Sequence, residues 1–226
     1  MENAGPSNTA GAVVRPWRRA SLWLVLLTAL FYVTYGLANW LASQRADVGT
    51  IVFTWELAVP FVGWTIIPYW SVHVLFAVSF FLCRSRAGLD SHARRLLTAQ
   101  AVAVGCFIIF PLRASSARPP VDGALGFLFE PLKLLDQPFN EAPSLHVATM
   151  TILYDLYARM LPRRWVPVFA VWSAVVIGSV MTTYQHHFID IPTGFLLGLF
   201  CIWLWPREGG NRLSALARFS VPSQDR

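Results

Sequence analysis

The stretch Tyr184-Gln185-His186-His187-Phe188-Ile189-Asp190 separates two long apolar runs and places two imidazoles and a carboxylate at their junction. An imidazole four residues before a carboxylate can donate its Nδ1–H to that carboxylate, as His186 can to Asp190. Such a bond fixes the tautomer and leaves Nε2 free as a nucleophile or a base. Because a proline fits only the first turn of a helix, Pro192 predicts that the next helix begins close to Asp190, with His186 at its mouth.

A second polar stretch, Pro143-Ser144-Leu145-His146, opens another apolar run upstream. It offers a hydroxyl, a further imidazole and the free backbone N–H groups of a helix start. The first turn of a helix also carries the positive end of the helix dipole, which suits an anion. We therefore expect His146 and His186, at the mouths of two helices, to share one site.

The composition places both stretches in a membrane protein. Of the 226 residues, 55% are hydrophobic and only 13% are charged, which is far more apolar than a soluble domain. Six runs approach the roughly 17–25 residues that a helix needs to cross a bilayer. They are Ala20–Leu41, Trp64–Cys83, Arg95–Leu112, Leu145–Met160, Trp165–Tyr184 and His187–Trp205. The sequence thus predicts an all-α, polytopic membrane protein with six transmembrane helices.

The basic residues predict its orientation, since Lys and Arg accumulate in cytoplasmic loops. All but four of the 18 flank the runs on one side; the exceptions are Arg45, Arg113, Arg118 and Lys133. Both termini are therefore expected in the cytoplasm, and both histidine stretches on the outer side. The net charge of +6 then reflects anionic lipid rather than a nucleic-acid partner. The preference for Arg over Lys suggests a GC-rich genome, hence a bacterial inner membrane with the site facing the periplasm.

Three segments are expected along the chain: a disordered cytoplasmic N-terminus (1–14), a membrane domain (15–206) and a cytoplasmic tail (207–226). Ile51–Phe61 is interrupted by a glutamate and a proline, which favours a helix lying at the outer interface. In the long outer loop, Leu125–Leu135 is apolar enough either to rest on the membrane and guide a lipid tail or to form a packed cap. The cysteines show neither a disulfide pattern nor metal-ligand spacing.

The outer face collects the groups needed for phosphoryl transfer through a phosphohistidine. Arg113 and Arg118 follow the third run, and guanidinium groups bind phosphate oxygens in pairs. His186, oriented by Asp190, would attack phosphorus. His146 would protonate the leaving oxygen and later activate the acceptor, as imidazole can near neutral pH.

These residues carry a resemblance to a known family. Pro143-Ser144-Leu145-His146 resembles the second motif of the phosphatidic acid phosphatase type 2 superfamily, and His186-x-x-x-Asp190 followed by Gly194 resembles the third. The resemblance covers Arg113–Trp205 and implies a six-span enzyme with an outer site and no metal or other cofactor. It also implies that His186 is the nucleophile, Asp190 its orienting group and His146 the acid, while Arg118 and Ser144 hold the phosphate.

The chain departs from the family pattern at two positions. Pro111 stands where the first motif has a lysine, seven residues before Arg118, and Arg113 is the candidate substitute. Val180 follows Ser179 where the third motif has an arginine. Both differences are more similar to the branch that includes inositol phosphorylceramide synthases, which transfers a phosphorylated headgroup to a lipid alcohol.

The sequence favours an integral membrane lipid phosphatase that hydrolyses a lipid phosphate ester on the outer face. One alternative is a phosphotransferase that moves a group such as inositol phosphate onto a lipid alcohol. Another is a catalytically inactive protein that binds or transports lipid phosphates. A metal site made by His146, His186, His187 and Asp190 is a third, and sensitivity to a chelator would reveal it. His187 could replace His186 as the nucleophile, but its spacing to Asp190 favours a supporting position.

Overall fold

A computed structural model of the chain describes residues 16–115, 118–135 and 139–207. Within these ranges the structure consists of seven α-helices, with three short 3₁₀ turns and no strand. The helices are α1 (Trp17–Ser43), α2 (Ile66–Leu82), α3 (Arg86–Ile109), α4 (Gly123–Leu135), α5 (Leu145–Met160), α6 (Val166–Thr182) and α7 (Asp190–Leu204). The predicted all-α fold is confirmed. The predicted N-terminal segment 1–14 and the tail beyond Arg207 lie outside the described residues.

Six of the helices coincide with the six apolar runs. α7 begins at Asp190, the position that Pro192 indicated. α3 begins at Arg86 rather than Arg95, because polar first turns precede its apolar part and Ser85 caps them by accepting the Gly88 N–H. The interfacial helix expected within Ile51–Phe61 is a single 3₁₀ turn, Thr54–Ala58.

α4 covers the apolar loop segment and packs on the bundle as a cap. Its Phe129 and Leu132 are buried in a cluster with Ile66 and Tyr69 of α2. The indole N–H of Trp70 also donates to the carbonyl of Leu128 at 3.0 Å.

Among the described residues, three helical segments are both long and apolar enough to cross a membrane: Trp17–Ser43, Gly63–Leu82 and Arg163–Thr182. α7 is also apolar but shorter. Large apolar side chains such as Leu22 and Val25 on α1 and Val171 on α6 are exposed, as expected of surfaces that face lipid. These features indicate a membrane protein, while the count of six crossings and the orientation of the termini stay predictions.

A buried ionic network ties α3, α5 and α7 at the end of the bundle opposite the histidine stretches. Asp155 pairs with Arg159 one turn later, as its spacing predicts. Its other carboxylate oxygen lies 2.8 Å from Arg95 Nη1, and Arg95 Nε donates to the carbonyl of Trp205 at 2.8 Å. A buried carboxylate of this kind requires such partners, since an unpaired charge in an apolar interior is very costly.

α5 and α7 run side by side in the same direction, and their backbones are in direct contact. The Ser144 N–H donates to the Asp190 carbonyl at 3.2 Å. A Cβ at Gly194 would overlap the Ser144 carbonyl oxygen, and one at Gly198 would lie 2.6 Å from Thr151 Cβ. Glycines one turn apart allow helix backbones to approach closely in this way. The contact holds the starts of α5 and α7, and therefore both polar stretches, at one end of the bundle.

Replacing Gly198 by alanine should weaken this contact and lower the stability of the protein. The added methyl group must displace Thr151 or the backbone of Ala148, and overpacking of this kind costs about 1–3 kcal/mol. Gly178→Ala on α6 is the matched control, because a Cβ there meets nothing within 4 Å. Thermal unfolding in detergent measures both. Equal melting temperatures for the two variants would contradict the proposed role of the glycine contact.

Candidate active site

The connection between α6 and α7 folds His186 back onto the start of α7. Tyr184 takes a left-handed backbone conformation (φ 56°), after which the N–H groups of Gln185 and His186 both donate to the carbonyl of Val180. His186 Nδ1 then lies 3.2 Å from Asp190 Oδ2, as expected from the spacing. The same oxygen accepts the His187 N–H at 2.8 Å, so the backbone holds the buried carboxylate in place.

Glu141 is a third member of this cluster that the sequence analysis did not single out. Its Oε2 lies 3.7 Å from His186 Nδ1, and only 5% of its side chain is exposed. Both carboxylates therefore face the same ring nitrogen, which leaves Nε2 as the nitrogen available to a substrate. The one signal in the sequence is position, since Glu141 stands two residues before the Pro143-Ser144-Leu145-His146 stretch.

The cluster changes the protonation of its members. Burial opposes a charge on His186, but the hydrogen bond to Asp190 and the nearby Glu141 carboxylate outweigh this and raise the pKa of the imidazole to about 10. Burial also raises the pKa of Glu141 to about 8, although the nearby His186 imidazole acts in the opposite direction. The cluster thus favours a charged His186 beside a carboxyl group that burial makes harder to ionise.

His187 is held by different partners. Its Nε2 accepts the Ser115 N–H at 3.1 Å, which leaves Nδ1 to carry the proton and donate to Glu56 Oε2 at 3.3 Å. Glu56 Oε2 also accepts the Phe188 N–H at 2.8 Å. Both ring nitrogens of His187 are therefore engaged, and its supporting role stays a prediction. Glu56 is a second missed residue; its interruption of an apolar stretch was the available signal.

The second polar stretch forms the start of α5. Ser144 is fully buried and caps the helix, with its Oγ accepting the Val147 N–H at 3.3 Å. This bond leaves the hydroxyl proton available for donation. The His146 ring stacks on Tyr69 with centroids 4.2 Å apart and meets His73 edge-on. His146 Nε2 is buried and has no hydrogen-bond partner among the described residues, which suits a nitrogen whose partner is a bound molecule.

Arg113 and Arg118 lie on the loop that reaches the site from α3. Ser115, between them, contacts His187 through both its N–H and its hydroxyl. Arg113 is exposed, and its N–H donates to the Gly49 carbonyl at 2.8 Å; Arg118 is partly buried. Residues 116–117 lie outside the described ranges. The loop therefore passes beside the histidine cluster, and the phosphate-binding role of its arginines stays a prediction.

His146 and His186 line the same cavity, which has a volume of about 730 Å³. It lies between α1, α2, α3 and α5, and its walls are largely aliphatic and aromatic. The two imidazoles thus converge on one space large enough for an organic substrate.

The structure brings together a different set of possible metal ligands from the one considered as an alternative in the sequence analysis. Across the described ranges, one set of three acidic or histidine side chains comes close enough to hold an ion: Glu141, His186 and Asp190, with ligand atoms within 4.8 Å of one another. The set expected from the sequence is not assembled, since His187 binds Ser115 and Glu56, and His146 packs on Tyr69.

Comparison with known proteins gives one finding. No curated protein matches the chain, but the model of the PAP2 superfamily matches residues 44–212, about three quarters of the sequence. The matched region contains both polar stretches and the loop with Arg113 and Arg118. The chain therefore belongs to the PAP2 superfamily, an all-α membrane family of phosphatases and phosphotransferases.

Proposed function

We propose that this protein is an integral membrane lipid phosphatase that hydrolyses a phosphate ester at the outer end of its bundle. The observation that carries the proposal is that His146 and His186 line one and the same cavity. Family membership supplies the reaction class, and the largely apolar walls favour a substrate with a long hydrocarbon tail. The sorting of basic residues supports an outer location for this end, and we propose that it faces the periplasm.

The first half of the reaction forms a phosphohistidine. His186 Nε2 attacks phosphorus while its Nδ1–H stays bonded to Asp190, and the bond from phosphorus to the lipid oxygen breaks. His146 gives a proton to that oxygen, and the lipid alcohol leaves. The phosphorylated imidazole carries a positive charge, which the carboxylate at 3.2 Å stabilises.

The second half returns the enzyme to its starting state. His146, now neutral, takes a proton from a water molecule, whose oxygen attacks the phosphohistidine. The nitrogen–phosphorus bond breaks and inorganic phosphate leaves. Phosphate oxygens would be held by the first N–H groups of α5, the Ser144 hydroxyl, Arg113 and Arg118.

Transfer to an alcohol is the second candidate, because the arginine of the third motif is absent. Val180 at that position is fully buried against Ile66, Tyr69 and Val147. Purified protein incubated with lipid phosphates and inositol phospholipids would distinguish the two reactions. Release of free phosphate supports hydrolysis, a new lipid species supports transfer, and binding without turnover supports an inactive lipid-binding protein.

Removal of the proposed nucleophile should abolish turnover. His186→Ala is expected to lower kcat by about 10³-fold or more, because no other imidazole contacts Asp190 through a ring nitrogen among the described residues. His146→Ala should cost about 10²- to 10⁴-fold, since general acid catalysis is lost. His187→Ala is the matched comparison, because it removes an imidazole from the same connection and leaves the proposed nucleophile in place, and it should retain more activity than His186→Ala. Phosphate release from a lipid phosphate measures all three.

Two outcomes would contradict this assignment. One is a folded His187→Ala variant as inactive as His186→Ala. The other is activity that disappears in EDTA and returns with zinc, which would favour metal chemistry at Glu141, His186 and Asp190.

Glu141 should set the acid limb of the pH profile. Attack requires neutral His186, so kcat/KM should rise with pH toward the raised pKa of about 10. Glu141→Gln removes a carboxylate 3.7 Å from Nδ1, lowers the pKa of His186 and should move this limb about 1 unit toward lower pH. Asp122→Asn, at an exposed carboxylate, is the control and should leave the limb in place. If the acid limb of Glu141→Gln lies at the same pH as in the wild type, Glu141 does not influence the protonation of the nucleophile.

A further inference from the structure

The cavity beside the histidines has a polar end and an apolar end. On α1 it extends from Ser43 to Leu24, a depth of about 28 Å at 1.5 Å per residue. Leu27, Phe31 and Phe76 line its deeper part, whereas His146 and His186 lie at the outer end. This polarity matches a lipid phosphate whose phosphate meets the histidines and whose tail runs inward along α1.

Two buried amides at the outer end lack hydrogen-bond partners among the described residues. Asn39 on α1 is 2% exposed, and neither atom of its amide has a hydrogen-bond partner among the described residues. Asn140 is equally buried; its Nδ2 donates to the Tyr35 carbonyl at 3.0 Å, and its Oδ1 is unpartnered within the same ranges. Because Tyr35 precedes Asn39 by one helical turn, both amides lie against the same face of α1.

A buried amide deeper in the cavity, that of Gln100, does have a partner within the protein. Gln100 on α3 donates from Nε2 to Thr34 Oγ1 at 3.1 Å, so the protein supplies it with a partner. Buried amides are normally paired in this way, because an unpaired one loses its bonds to water without replacement. Asn39 and Asn140 lack such a partner within the described residues, which suits groups that bind a molecule in the cavity.

The two asparagines lie close to the proposed catalytic histidines. Asn140 directly precedes Glu141, which contacts His186, and both asparagines line the cavity with His146 and His186. A lipid with its phosphate at His186 and its tail near Phe31 would therefore pass its backbone by the two amides. The Asn140 nitrogen faces a carbonyl, so the free atom is the oxygen and it requires an O–H or N–H donor. Asn39 can both donate and accept.

We propose that Asn39 and Asn140 bind a hydroxyl or amide N–H group close to the phosphate of the substrate lipid. The substrate class is then a lipid phosphate with such a group on its backbone, in preference to a polyprenyl or simple alkyl phosphate, which has none. This inference rests on the proposed phosphatase function and narrows its substrate.

The test compares two probes on the purified full-length chain: 1-oleoylglycerol 3-phosphate, which has a free backbone hydroxyl, and octadecyl phosphate, which has no such group. We expect kcat/KM for the glycerol lipid to exceed that for the alkyl phosphate by about tenfold. Asn39→Leu, which preserves side-chain volume, should reduce this ratio by about tenfold. Gln100→Leu, at a buried amide that the protein already satisfies, should keep the ratio. Asn39→Ala repeats the measurement if the leucine variant does not fold.

The outcomes separate this inference from the proposed function. A wild-type ratio near one, or an Asn39→Leu variant that keeps the wild-type ratio, would overturn the hydroxyl-binding role. If neither probe is turned over, the phosphatase proposal fails, and the inference is then tested by binding. Titration of each probe against tryptophan fluorescence uses Trp40 and Trp70, which line the cavity. If Asn39→Leu weakens binding of the glycerol lipid and leaves binding of octadecyl phosphate unchanged, the inference is supported. An equal loss of affinity for both probes would overturn it.

Discussion

The backbone contact between α5 and α7 is the constraint on which the site depends. Two polar stretches far apart in the sequence become neighbours because Gly194 and Gly198 let α7 approach the Ser144 carbonyl and Thr151. The Ser144 N–H bond to the Asp190 carbonyl then aligns the two helix starts. At the other end, Arg95 bridges Asp155 of α5 and the carbonyl that follows α7, so neither helix can slide along the other without breaking buried polar bonds.

Buried carboxylates organise the histidine end in two parallel sets. Asp190 binds the His186 ring and the His187 N–H, while Glu56 binds the His187 ring and the Phe188 N–H. Each carboxylate therefore accepts from one imidazole and one backbone amide of the same connection. Because a buried carboxylate requires polar partners, these bonds help to fix the conformation of the segment that presents His186. The His187 ring thereby helps to hold the segment that carries His186.

Local patterns explain what the sequence could predict. Long apolar runs identified six of the seven helices, and the four-residue spacings of His186–Asp190 and Asp155–Arg159 identified contacts within one helical turn. Contacts between distant segments left no such pattern. Glu56 meets His187 across 131 positions, and Arg95 meets Asp155 across 60, although each residue alone was visible as a charge in an apolar context. The predicted start of α3 was nine residues too late. Its first turns are polar and capped by Ser85, so a search for apolar runs does not detect them.

The absent motif arginine constrains how a phosphate could be held. A charged residue at position 180 would be costly, because the Val180 side chain lies in the apolar contact between α6, α2 and α5. Its backbone carbonyl also accepts the two N–H groups that fold His186 back. The position thus serves packing and the turn rather than charge. Positive potential for the proposed phosphate must then come from groups on other segments. The start of α5 and the loop that meets His187 at Ser115 both border the cluster, so the helix dipole and the loop arginines stay the proposed sources of that potential.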